Sequence, residues 1–249
     1  MKSLLKSTLS DNTHLNYSQE SDDSEKKHYE FPLEKFSVAD AWSNLTDLFE
    51  KMYPEAAEKF LNEGATEAEI EKLSEKIGVD IPAQLKDSLE IQNGSEGDTL
   101  HIGNPYHYTQ KAKEYDAGGY RAKAAGLDED KRKKVNGIIR KKLQEKGITP
   151  GYLADISLLS AEQIIQQYKH LRSHAEDEDF QWDTSWIPVG VHADDEYLFI
   201  DENGMVHWVD VKDPDGRVHP MTNDFAEWLS WSVHALEIAI DAIDEVKDD

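Results

Sequence analysis

Residues 64–94 read GATEAEIEKLSEKIGVDIPAQLKDSLEIQNG. Thr66 can cap a helix start, and Glu69, three residues on, can reach back to close a capping box. Ile70, Leu73 and Ile77 then recur at helical spacing, which gives one apolar face. Gly78 stands just past the last of them, where a left-handed C-terminal cap has no steric cost. Pro82 suits a first helical position, because its missing N–H would be unpaired there anyway. Leu85 and Leu89 give the second helix its buried stripe, and Asn93-Gly94, both tolerant of positive φ, ends it. The stretch predicts two short helices, the second braced on the first.

Outward from this pair, the pattern stays mixed. On the N-terminal side, Ser37 can cap a helix lined by Val38, Trp42, Leu45, Phe49 and Met52, and Pro54 permits a short helix over 55–61. On the C-terminal side, residues 98–102 and 153–158 read as strands. Ser160 and Gln163 form a second capping box, before a helix with Ile164, Ile165, Tyr168 and Leu171 on one side. Residues 186–191, 196–201 and 205–210 read as strands, with Asn203-Gly204 as a hairpin turn and Asp213-Pro214-Asp215-Gly216 as a further turn. Phe225, Trp228, Leu229, Ser232, Leu236, Ala239, Ile240 and Ile243 mark a long closing helix, capped by Thr222 or Asn223. Trp228 is expected to be buried against the sheet that holds Trp186 and Phe199. A helical start, a small mostly antiparallel sheet and a long C-terminal helix make the fold class α+β.

Several of these segments resemble the SUKH superfamily, in its Smi/Knr-type branch. The residues that carry the resemblance are Gly64-Ala65-Thr66, Glu69-Ile70, Gly78-Val79, Ile81-Pro82 and Asn93-Gly94. They are followed in order by Leu158-Leu159-Ser160, Trp186-Ile187-Pro188-Val189, Tyr197-Leu198-Phe199-Ile200-Asp201 and Phe225-Ala226-Glu227-Trp228-Leu229. The resemblance covers roughly residues 38–240 with one interruption. It implies an α+β fold without catalytic activity. Many bacterial members are immunity proteins that bind and neutralise a cognate toxin, often a nuclease. The fungal members imply the alternative, an intracellular regulatory or scaffold protein with no toxin partner.

Composition bears on the same choice. The chain carries 51 acidic against 27 basic residues, net −24. Such a surface repels phosphate backbones, which argues against direct nucleic-acid binding, and attracts basic partners. Acid also keeps a protein soluble without any partner. The absence of cysteine removes a disulfide framework, a thiolate metal site and a cysteine nucleophile, and fits a reducing, cytoplasmic setting. Met1 to Lys6 is too short for a signal-peptide apolar core, and no stretch approaches the ~18 apolar residues of a membrane span. The sequons at Asn16, Asn44 and Asn93 are then chance matches. Residues 1–35 are expected to form a loosely ordered tail, because they hold too few apolar groups to offset ordering entropy. Residues 36–249 are expected to form a single domain.

Residues 104–150 depart from the family pattern and read as an insertion. They hold twelve basic and six acidic residues, net +6, which leaves −30 for the rest of the chain. Within it, 128–147 reads as a helix with a narrow stripe of Val135, Ile138, Ile139 and Leu143. It is either a specificity arm that contacts a partner or nucleic acid, or a helix folded against its own acidic domain. The second reading is preferred, because a charge run is usually a solvated or internally compensated face.

No residue pattern points to catalysis. His170 and His174 stand one helical turn apart, a spacing that can bind zinc, but the protease pattern with Glu after the first His is absent. Asp213-x-Asp215-Gly216 matches part of a calcium loop, yet prolines interrupt it and the twelfth position is Asp224. There is no Gly-x-Ser-x-Gly elbow and no phosphate-binding glycine fingerprint. No metal or cofactor is expected. The expected partner is a basic protein toxin, and its candidate contacts are loop acids: Glu96 and Asp98 after the Asn-Gly turn, Asp177, Glu178 and Asp179 in an acidic loop, and Asp194, Asp195 and Glu196 before a strand. Such positions carry recognition on a rigid scaffold.

Overall fold

The computed structural model describes residues 33–54, 61–95, 105–106, 122–147, 156–175, 182–193, 196–213 and 218–248. Among these are six helices and one five-stranded sheet: α1 Val38–Met52, α2 Glu67–Ile77, α3 Ala83–Ile91, α4 Glu129–Glu145, β1 Ser157–Leu158, α5 Ala161–His174, β2 Ile187–Ala193, β3 Glu196–Ile200, β4 Val206–Asp210, β5 Val218–Thr222 and α6 Phe225–Lys247. The sheet order is β1-β2-β3-β4-β5 and every neighbouring pair is antiparallel. The class is α+β, with a helical N-terminal part and a long C-terminal helix.

The helix pair forms as its sequence predicts. The Thr66 hydroxyl accepts from Glu69 N–H, and the Glu69 carboxylate accepts from Thr66 N–H, so two orphan donors at the start of α2 are satisfied. Gly78 ends α2 at φ 69°, and Ile70, Leu73 and Ile77 are buried. Pro82, expected at the first helical position, instead takes the N-cap of α3, with extended ψ, and Ala83 opens the helix. The two outer glycines of the stretch act as close-approach points. A Cβ on Gly64 would stand 1.9 Å from the Glu90 carbonyl oxygen, and one on Gly94 (φ 73°) would stand 2.4 Å from Ser160 N. Asn93 adds hydrogen bonds there: its side-chain oxygen accepts from Ala161 N–H at 2.8 Å, and its carbonyl accepts from Asn62 Nδ2 at 2.9 Å. Asn93-Gly94 therefore ends α3 and also joins it to the start of α5. Ser160 and Gln163 close the second capping box at that same start.

The long helix α6 is buried on nearly all sides, as an apolar helix inside a domain must be. α1 lies along it, α3, α4 and β5 pack on it, and α2 packs on α5. The buried bond from Trp42 Nε1 to Ser88 Oγ, 2.9 Å, ties α1 to α3. Asp224 caps α6 by accepting from Glu227 N–H at 2.9 Å, where Thr222 or Asn223 had been expected. The neighbours are otherwise engaged. Thr222 ends β5 and its hydroxyl donates to the Asp224 carbonyl, while Asn223 donates from both N–H and Nδ2 to the Glu227 carboxylate. Lys35 bridges Asp224 and Glu227, fastening the chain entering α1 to the head of α6.

Trp228 is buried against the sheet, as expected, on the face opposite Phe199. It shares the main core with Ile187, Leu198, Ile200 and Val206. Phe199 belongs to a second apolar cluster with Leu171, Tyr197, Val209 and Val211, flanked by Trp182 and Trp186. Side chains alternate along β3, so Leu198 and Phe199 must face opposite sides. Strand β5 was not anticipated. It pairs with β4 through Val206↔Thr222, His207↔Pro220, Trp208↔His219 and Val209↔Val218, with an irregularity after Val206. Pro220 is tolerated because β5 ends the sheet among the described residues. Of the strand expected over 153–158, Ser157 and Leu158 are strand. Residues 55–60 and 98–102, expected as helix and strand, lie outside the described residues.

Candidate functional site

The antiparallel order places the β2–β3 and β4–β5 connections at one end of the sheet and the β3–β4 hairpin at the other. At the first end, Ala193 pairs with Glu196, so the connection between them is two residues, Asp194 and Asp195. Glu196 lies directly across from Asp210, on the same side of the sheet, where opposed like charges disfavour each other. His192, beside a β2 irregularity, brings Nε2 to 3.4 Å from Glu196 Oε2. Burial pushes the Glu196 carboxyl above the ordinary carboxylate range; His192 opposes the shift and Asp210 adds to it. Asp210 shapes its own turn, accepting from Lys212 N–H at 2.9 Å with its carboxylate and from Asp213 N–H at 3.1 Å with its carbonyl. Glu196, Asp210 and Asp213 thus gather at one end, with His192 and Lys212 as the basic groups beside them.

Of the acids expected to meet a partner, Glu196 is placed here. Glu96, Asp98, Asp177, Glu178, Asp179, Asp194 and Asp195 lie outside the described residues. Sequence reasoning missed Asp210 and His192. The signal for Asp210 was the hairpin count: two turns separated by two strands must share an end.

The opposite end uses its acid differently. Asp201 accepts from Asn203 N–H at 2.8 Å and Met205 N–H at 2.9 Å, and its other oxygen lies 3.1 Å from His207 Nε2. Gly204 supplies φ 84° in that hairpin. Trp186 stacks on the His207 ring at 5.4 Å.

The basic helix α4 is folded against α6. Asp128 caps it, and Val135, Ile139 and Leu143 are its buried stripe. Lys142 Nζ lies 3.7 Å from Asp241 and 3.9 Å from Glu245, Lys123 lies 2.8 Å from Asp244, and Lys131 donates to the Val246 carbonyl at 3.3 Å. His170 and His174 stand with ring centroids 5.0 Å apart on α5. Among the described residues no group of three or more His, Asp or Glu side chains could hold a metal ion, and no helix is long and apolar enough to cross a membrane. The Asp213-x-Asp215-Gly216 turn falls largely outside the described residues.

The sequence that builds the helix pair, the sheet and the start of the long helix matches a known family. The model of the SMI1 / KNR4 family (SUKH-1) matches residues 64–231, more than half of the chain, and the protein belongs to that family. The match begins at the Gly64 close-approach point and runs into the second turn of α6, so α1 and the C-terminal part of α6, which pack on each other, lie outside it. A search of curated proteins returns no match.

Proposed function

We propose that this protein is a non-catalytic binding protein, an immunity protein that neutralises a cognate basic toxin by covering the toxin's cationic surface. The observation that carries this reading is the charge balance. The chain is net −24, and only Lys142 of α4 and Lys123 before it pair with acids of α6 among the described ion pairs between these segments. Acid is therefore left over for an outside partner. Membership of the SMI1 / KNR4 family (SUKH-1) agrees with an immunity or regulatory role. The proposed contact surface is the sheet end of Glu196 and Asp210 with Asp194 and Asp195, and the loop acids Glu96, Asp98, Asp177, Glu178 and Asp179 are further proposed contacts. A nuclease is a fitting target, because its site presents Lys and Arg to phosphate and an acidic protein is steered to it. The protein itself is expected to act in the cytoplasm without binding nucleic acid or membrane.

The test is co-expression with the product of a large secreted-toxin gene adjacent to the gene for this chain. Restored growth together with a stoichiometric complex is the expected result. Neither rescue nor complex, or no toxin gene nearby, would favour a regulatory scaffold without a toxin partner.

A further inference from the structure

Apart from half-buried Arg132, helix α4 divides its bases into two sets. Lys131 and Lys142 reach back to α6. Lys133, Lys134, Arg140 and Lys141 are exposed on the outward side, and Gly137, also exposed, lies among them. On an α-helix the nearest surface neighbours of a position are the residues three and four places to either side. Around Gly137 these are Lys134 and Arg140 at three, and Lys133 and Lys141 at four: every one is basic.

Glycine is among the least favourable residues inside a helix, so its presence calls for a reason. A Cβ on Gly137 would meet nothing within 4 Å, and Gly137 is not among the glycines with positive φ. Neither packing within the described structure nor backbone conformation requires it. What glycine leaves is bare helix backbone ringed by four cations, over which another chain can approach more closely than over any other residue. The pairs Lys133–Glu129 (2.8 Å) and Lys141–Glu145 (3.7 Å) are exposed i,i+4 contacts, of a kind weak enough to exchange for a partner's carboxylates.

We propose that this ring is a docking site for an acidic segment of a partner protein. Its carboxylates lie between the four side chains and its backbone crosses at Gly137. Residues 133–141 span about 12 Å of helix, the length of about four extended residues. The size and charge therefore fit a short acidic segment. A long polyanion such as nucleic acid would run beyond the ring onto a remainder of net −30, which repels it. This site is separate from the acidic end of the sheet and does not depend on the immunity reading.

The test uses the full chain and a fluorescein-labelled peptide of about six glutamates, followed by fluorescence anisotropy at low salt. Gly137→Ala is the deciding variant. It is expected to raise the melting temperature, because alanine favours helix, while weakening peptide binding by about fivefold, because the Cβ blocks close approach. Lys134→Glu with Arg140→Glu is expected to weaken binding by about tenfold or more. Lys72→Glu with Lys86→Glu, exposed bases on α2 and α3, serves as the control and is expected to leave binding within about twofold. Affinity unchanged in Gly137→Ala or in the charge reversal overturns the proposal, as does the absence of saturable binding. An oligonucleotide of about twelve bases that binds more tightly than the peptide, through the same residues, overturns it in favour of a polynucleotide.

Discussion

At the β3–β4 end of the sheet, the Asp201 carboxylate accepts two backbone N–H groups and meets His207. At the other end, Glu196 faces Asp210 across the strand pair and has His192 3.4 Å away. Both acids sit at strand ends next to hairpin connections, yet one is committed to the fold and the other is held against a like charge. The His192 contact would by itself favour the ionised form of Glu196, but burial outweighs it and the carboxyl is pushed up. An acid that the fold stabilises contributes little to binding. An acid that the fold leaves unfavourably placed is relieved when a partner's Lys or Arg arrives.

This contrast orders the expected effects of substitution. Asp201→Ala leaves two turn N–H groups and His207 without their acceptor. It is expected to cost about 2–4 kcal/mol in denaturant unfolding; a loss below about 0.5 kcal/mol would mean that the turn finds other partners. Asp201→Asn keeps an oxygen for the two N–H groups and removes only the charge facing His207, so about 1 kcal/mol is expected by the same measurement. Glu196→Gln removes a desolvated charge that faces Asp210. Its stability at neutral pH is expected to stay within about 0.5 kcal/mol of wild type or to rise.

The pH dependence sharpens the contrast. Glu196 has a raised pKa in the folded chain, so the folded state holds its proton more tightly than the unfolded state does. The stability linked to that proton is fully present below the ordinary Glu value of about 4.3 and is lost as pH rises through the raised folded value. Wild type should therefore lose stability relative to Glu196→Gln as pH rises out of the acid range, and the two curves should run parallel below it. A wild type that gains on the variant with rising pH would show that the His192 contact, not burial, governs this carboxyl.

Features set by a few adjacent residues were legible in the sequence. The capping boxes at Thr66 and Ser160, the cap at Ser37, the left-handed Gly78 and the Asn203-Gly204 hairpin all depend on residues a few positions apart. The cap of α6 was harder to read, because Thr222, Asn223 and Asp224 are all capable. The choice fell to Asp224 through contacts with β5, Glu227 and the distant Lys35. Strand β5 escaped notice because Val218 and His219 are exposed, Pro220 interrupts, and the register is irregular near Thr222, so no alternation shows. The split of Leu198 and Phe199 between two clusters was in principle readable from strand alternation. At the site, Glu196 could be picked out as an acid entering a strand. Its neighbour Asp210 was signalled only by the end that the two turns share; its place directly across from Glu196 is fixed by register between strands rather than by nearby sequence.

The most direct test of the proposed acidic recognition is the association rate with the cognate toxin, measured from about 20 mM to about 300 mM salt for wild type and for Asp194→Asn/Asp195→Asn/Glu196→Gln. The expected result is a rate that falls steeply with salt and a triple variant that associates more slowly at low salt and converges on wild type at high salt. A rate indifferent to both salt and the three substitutions would contradict recognition through this end of the sheet.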